Sequence, residues 1–407
     1  MLSQRKNYKW LVVALLWGVA LLNYLDRQML STMRPAIQID IPELHSAENF
    51  GILMAIFLWI YGLMSPVSGV IADKINRKWL IVISLFVWSF VTYLMGFTSS
   101  FYELKWLRGI MGISEAVYIP AALSLIADYH DSQTRSLAIG IHMTGLYLGQ
   151  ALGGFGAMIA KQYSWHFTFH YFGIMGIVYA FILILFLQEK RMAESSEKTT
   201  VDNQNVLGGI LLLFKNKSFW IILLYFAIPS LPGWATKNWL PTLFSQSLNI
   251  EMSVAGPLAT VTIAASSFIG VISGGLISDK WFQKNSKARI YTSAVGIFLT
   301  IPAIILLGFG HSTFELILAA VLFGVGFGMF DANNMPILCQ FIPAKYKATA
   351  YGLMNMTGVF SGAIITSLLG KSTDAGHLGR DFAFMAGVVF LVLIIQLRFL
   401  RPKIEGV

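Results

Sequence analysis

Gly69-Val-Ile-Ala-Asp73-Lys74-Ile-Asn76-Arg77-Lys78 ends one long apolar run and opens the next. One acid and three bases in a short turn between runs of about 20 residues suit a chain that leaves a bilayer and re-enters it. A second copy, Gly275-Leu-Ile-Ser-Asp279-Lys280, closes another apolar run 206 residues later. Two more matches keep the same order. Gly112-Ile-Ser-Glu115-Ala116-Val-Tyr118-Ile-Pro120 pairs with Gly328-Met-Phe-Asp331-Ala332-Asn333-Asn334-Met-Pro336, 216 residues on, and Met143-Thr-Gly145 pairs with Met356-Thr-Gly358. The chain therefore reads as two related halves.

Working outward, apolar runs recur at about 10–34, 50–72, 79–99, 101–127, 134–160, 166–188, 218–245, 253–279, 290–309, 312–341, 347–369 and 381–400. Twelve helical spans are expected. The first run is too long for a cleaved signal peptide and carries Asn23, Asp26 and Arg27 near its far end. Of 407 residues, 56% are hydrophobic and 12% charged, with mean hydropathy +0.67. A soluble domain carries about 25% charged residues, so an ordinary cytosolic enzyme and a disordered chain are both excluded. The net charge of +9 arises in loops between spans. With the N-terminus inside, 21 lysines and arginines fall in cytoplasmic segments against Lys161, Lys371 and Arg380 outside. By the positive-inside rule both termini are expected in the cytoplasm, in a cell (inner) membrane. The basic balance is thus a topology signal, and no nucleic-acid partner is expected. The polar stretch 189–217 reads as a flexible cytoplasmic linker between halves 1–188 and 218–407.

Ionisable groups at membrane depth are costly and mark function by default. Asp26, Arg27, Arg108, Glu115, Lys237 and Asp331 are the cases here. Arg108 and Glu115 stand two helical turns apart, roughly 10 Å, on one face. That stacking suits an anion site above a protonation site. Burial favours a neutral acid and a neighbouring guanidinium favours its anion, so an anion arriving at the arginine tips the acid toward accepting a proton. The other reading is a static charge network between the first and fourth spans. Asp331 could instead simply hydrogen-bond Asn333 and Asn334. Lys237 could meet an anion or snorkel. His142 and Gln150 share a face of the fifth span beside Tyr147, and either line a cavity or meet backbone carbonyls. Asn23, Tyr24, Tyr118, Asn238, Tyr351 and Asn355 are further cavity candidates. The Asp73 turn reads either as a gating latch that ties helix ends together or as a solvated turn, and the copy at Asp279-Lys280 favours the latch.

Over nearly its whole length the chain resembles the major facilitator superfamily, whose G-x-L-A-D-R-x-G-R-K signature is similar to Gly69 through Lys78. Asn76 stands where the signature has its second glycine, a position that would need left-handed backbone tolerance. The resemblance implies an all-helical fold of two six-helix halves, with a site near the midplane opened by rocking one half on the other. Asn23-Tyr24-Leu-Asp26-Arg27, Arg108 with Glu115, and Trp239-Leu-Pro241 resemble the anion:cation symporter family of hexuronate, galactonate and sialin-type carriers. That likeness implies proton carriers at Asp26 and Glu115 and carboxylate or coupling roles for Arg27 and Arg108. The same turn and Gly112-Ile-Ser-Glu115-Ala116 also resemble spinster-like lysolipid and sphingolipid exporters. The polar candidates favour a small hydroxylated acid. Proton-coupled transport of a sugar acid by a monomer is the expected function, with the lysolipid alternative kept open.

Gly370-Lys371-Ser372 lacks the first glycine of a phosphate loop, since Ile365 stands there. Gly324, Gly326 and Gly328 miss the dinucleotide spacing and suit helix packing. The lone Cys339 and the scattered histidines offer no metal set, and no enzyme, metal or cofactor is expected.

Overall fold

The computed structural model describes residues 7–131, 134–189, 206–343 and 346–401. Its secondary structure there is helical throughout, apart from turns and loops. The first half contains α1 (Tyr8–Asp40), α2 (Ala47–Lys74), α3 (Arg77–Met95), α4 (Phe101–Ala116), α5 (Tyr118–Tyr129), α6 (Arg135–Gly153), α7 (Gly156–Gln162) and α8 (Trp165–Phe186). The second contains α9 (Val206–Lys215), α10 (Lys217–Leu248), α11 (Met252–Phe282), α12 (Ala288–Phe309), α13 (Thr313–Phe341), α14 (Lys347–Asp374) and α15 (Leu378–Phe399). Eleven stretches are long and apolar enough to cross a membrane, α4 and α5 counting as one. The twelfth crossing is the α6–α7 pair, whose apolar run is diluted by glycines, His142 and Gln150.

Local chemistry sets the helix ends. Ser100 with Glu103 and Ser312 with Glu315 form reciprocal capping boxes at the starts of α4 and α13, a further match between the halves. Asn76 does not need left-handed backbone: its φ is −54° and its side chain caps α3 by accepting from the Trp79 N–H. Between α4 and α5 the helix breaks at Val117, three residues before Pro120, which cannot donate the next helical hydrogen bond. The expected linker is partly structured. Residues 190–205 lie outside the described residues, but Val206–Lys215 is a helix. Its run of apolar residues docks through buried Leu213, while the Phe214 ring meets Phe219 and Trp220.

The halves pack by the same scheme. In the first, α1 lies on α6, α2 on α4 and α3 on α8; in the second, α10 lies on α14, α11 on α13 and α12 on α15. Contacts between halves run along α2 with α14 and α6 with α11. They concentrate on the far side, away from the chain ends. There the carboxylate of Asp374 accepts from Ser46 Oγ (2.8 Å) and from the backbone N–H groups of Ala47 (2.7 Å) and Glu48 (2.9 Å). Lys371 pairs with Glu48 at 3.2 Å, and Lys161 pairs with Glu251. Lys161 and Ser253 hold the Glu251 carboxyl below the usual carboxylate range. Gly51 lets α2 approach so closely that a Cβ there would stand 2.8 Å from the Thr366 carbonyl oxygen. Among the described residues, the inter-half hydrogen bond nearest the chain ends joins Asn355 Nδ2 to Ser65 Oγ (2.9 Å).

Candidate functional site

Asn23, Asp26 and Arg27 fall at i, i+3 and i+4 on α1 and so share one face. Across from them Glu115 ends α4 just before the break at Val117, fully buried. Its Oε2 accepts from Arg27 Nε at 2.5 Å and from Asn23 Nδ2 at 2.8 Å, while its Oε1 has no partner. Glu115 therefore takes its ion pair from α1, across the helix interface. Arg108, seven residues back on its own helix, is within electrostatic reach of Glu115 but makes no hydrogen bond to it. Its guanidinium stands 4.6 Å from the Phe57 ring centre and donates to Met111 Sδ at 3.2 Å. Arg27 faces the same ring at 4.8 Å and is further enclosed by Tyr61 (4.7 Å) and Tyr24 (5.2 Å). Phe57 thus holds two guanidinium groups that would otherwise repel, each drawn to the ring quadrupole. Asp26 is buried nearby; one of its oxygens accepts from Thr92 Oγ1 at 3.4 Å and the other has no partner. Arg27 Nη2 is likewise buried and unpartnered, and the side chain keeps 12% exposure.

The second half contributes a different group. Asp331 is exposed although it lies well inside α13, and its Oδ1 accepts from Asn334 Nδ2 at 3.2 Å. It lies within electrostatic reach of Lys237, Tyr225 and Tyr351 in its own half and of Tyr24 and Tyr147 in the other. Lys237 in turn feels Arg27 across the halves. These residues therefore lie within electrostatic reach of one another across the two halves. Lys237 Nζ sits 4.8 Å over the Trp234 ring and, among the described residues, makes no hydrogen bond. Its backbone oxygen accepts from Gln28 of α1 at 2.8 Å.

Other expected site residues lie apart from this group or are spoken for. Tyr118 is fully buried, donating to the Leu16 carbonyl at 2.8 Å and packing on Trp88. His142 is fully buried beside Tyr118, within reach of the Leu16 carbonyl. Gln150 is buried, Asn238 donates to Thr366 Oγ1 at 2.8 Å, and Asn355 holds Ser65. In the Asp73 turn, the side chains of Gly69, Asp73 and Lys74 lie outside the described residues. Arg77 pairs with Asp128 at the end of α5; Lys78 Nζ donates to the Ile184 carbonyl at 2.9 Å, and its N–H to Glu189 at 2.8 Å. In the second copy Asp279 meets Arg289 at 3.3 Å, and Lys280 is exposed. Sequence reasoning missed Phe57, Tyr61, Thr92, Gln28 and Tyr225. An aromatic in an apolar span carries no mark, although the phenol of Tyr61 amid apolar neighbours was a signal that could have been followed.

The profile of the Major Facilitator Superfamily matches residues 16–366. The chain belongs to that superfamily. Membership makes it a multi-pass membrane transporter and not an enzyme. Similar superfamily members include the hexuronate transporter of Bacillus subtilis (strain 168), 25% identical over 97% of this chain and 95% of its own. The D-galactonate transporter of Escherichia coli O6:H1 is 23% identical over 94% and 92%. Protein spinster homolog 1 of Xenopus laevis is 26% identical over 92% and 75%. Among solved structures, a bacterial homolog to the human lysosomal transporter spinster, described as inward-facing and unoccupied, superposes with a TM-score of 0.83 at 19% identity, covering 99% of this chain and all of the other. That likeness speaks to the superfamily fold alone.

Proposed function

We propose that the protein is a proton-coupled symporter of a small hydroxylated organic anion, a sugar acid of the hexuronate or aldonate kind. The observation that carries this reading is Glu115, sealed from solvent, with one oxygen held by Arg27 and the other unpartnered. A substrate carboxylate that takes Arg27 releases Glu115 from its counter-ion, and a buried, unpaired carboxylate then gains a proton in preference to standing charged. Arg27 and Arg108 receive the carboxylate, and Glu115 with Asp26 carries protons. Asn23, Tyr24 and the residues around Asp331 hold the rest of the molecule. The names of the galactonate and hexuronate relatives support the substrate class. The positive-inside tally supports cytoplasmic termini in an inner membrane, so that the sealed far side is external and the cavity opens inward. The ties made by Arg77, Lys78 and Asp279 within each half support rigid-body rocking, with a single chain as the unit.

Glu115→Gln tests the mechanism. Uptake driven by a proton gradient is lost while counterflow exchange persists; equal loss of both, in protein that still binds, sinks the coupling role. A lysolipid substrate is the second reading, favoured by the aromatic enclosure of Arg27 and by the spinster relative. A thermal-shift screen of uronates, aldonates and sialate beside lysophospholipids separates the two, because only a ligand of the native state stabilises it.

A further inference from the structure

Behind Asp331 runs a buried chain of hydrogen bonds that reaches three helices. Tyr225 Oη on α10 lies 2.7 Å from Ser293 Oγ on α12 and donates to Asn334 Oδ1 on α13 at 2.9 Å. Asn334 Nδ2 then donates to Asp331 Oδ1. A phenol has one proton. Since Tyr225 spends it on Asn334, Ser293 must be the donor to Tyr225. Every link then has a fixed sense, running from Ser293 through Tyr225 and Asn334 to Asp331. Ser293, Tyr225 and Asn334 are all buried, and the edge of the Phe330 ring 5.2 Å away packs the phenol in place. Turning the Asn334 amide over would set its oxygen against the Asp331 carboxylate, acceptor against acceptor.

We propose that Tyr225, set by Ser293, is a positioning residue that fixes the Asp331 carboxylate as an oriented acceptor for a substrate hydroxyl, making this half of the cavity select polyhydroxylated acids over deoxygenated ones. The inference rests on the proposed sugar-acid reading and deepens it. Asp331 presents only acceptor oxygen to the cavity, so it rewards an O–H and leaves a C–H unpaired. A site built to bond a hydroxyl rejects an analogue lacking it far more strongly than an apolar pocket rejects an extra group. Orientation matters because a carboxylate free to rotate must be ordered at the moment of binding.

The test is uptake of D-galactonate and of galactonates lacking one hydroxyl at a time, by wild type, Tyr225→Phe and Ser293→Ala in proteoliposomes. In wild type, one deoxy position raises KM sharply. In Tyr225→Phe, KM for galactonate rises about tenfold, the scale of one charge-assisted hydrogen bond, while KM for that one deoxy acid stays put and the pH profile is unmoved. Ser293→Ala, which leaves the phenol in place, shows the same selective loss at smaller size. An equal rise for both acids marks a merely structural role and overturns the inference, as does no change at all. Wild type that transports neither galactonate nor a hexuronate overturns the sugar-acid reading itself, and this inference with it.

Discussion

The two halves share a packing scheme and a sequence pattern, Gly-x-x-acid with a proline five residues after the acid, yet they treat the acid in opposite ways. In the first half the helix stops at Val117 and leaves Glu115 sealed, held by a guanidinium that is itself wrapped in rings. In the second half α13 runs on unbroken past Pro336, and Asp331 is exposed, backed by a chain of neutral hydrogen-bonding groups. A buried acid paired with a guanidinium has a charge state that depends on that partner, whereas Asp331 is held by the Asn334 amide with Lys237 in reach. One sequence pattern thus places a buried, ion-paired acid in the first half and an exposed, hydrogen-bonded acid in the second.

The contrast breaks most visibly at the cations. Arg27→Leu breaks the buried pair, so Glu115 must either take up a proton or stand uncompensated, at a cost of about 3–5 kcal/mol, read as a loss of thermal stability that is largest at high pH and that Glu115→Gln in the same protein restores in part. Lys237→Leu removes a cation that makes no hydrogen bond among the described residues, and costs less than Arg27→Leu. Equal losses would erase the distinction between the halves. Phe57→Leu sharpens it next. Two guanidinium contacts are lost together, at about 1–2 kcal/mol, with a weaker affinity for substrate, and among the described residues no ring of the second half stacks two cations in this way. Arg108→Lys keeps the charge but not the planar fork, and substrate binding falls with little change in stability. Transport like that of wild type would remove Arg108 from the carboxylate site. The smallest effect lies away from both acids. Because Lys161 and Ser253 depress Glu251, the stabilisation of the sealed side by that contact is present at neutral pH and fades as pH falls through a range below 4.5. Crosslinking yield between cysteines placed across that side, followed from neutral to acid pH, measures it, and Glu251→Gln removes the dependence.

Much of this architecture was legible beforehand because hydrocarbon imposes it. Span length, loop charge and the rarity of ions at depth leave few alternatives, so the spans, the repeat and the group Asp26, Arg27, Arg108 and Glu115 could be read directly. What the chain could not announce was pairing. Arg108 is the natural partner of Glu115 along one helix, but Arg27 wins because α1 and α4 approach at the break, a fact of packing between segments 88 residues apart. The rings of Phe57 and Tyr61 were hidden for the opposite reason: aromatics are too common in spans to stand out. The helix at Val206–Lys215 was masked by its polar neighbours. The relay from Ser293 to Asp331 joins three helices, and no spacing rule links them.

The carboxylate of Asp374 belongs to one half but completes the first turn of a helix in the other. Parting of that contact would leave the amides of Ala47 and Glu48 without their acceptor and open to water, so the start of α2 would fray there. Isotope exchange at those two amides would then report how often the contact between the halves opens, without any label attached.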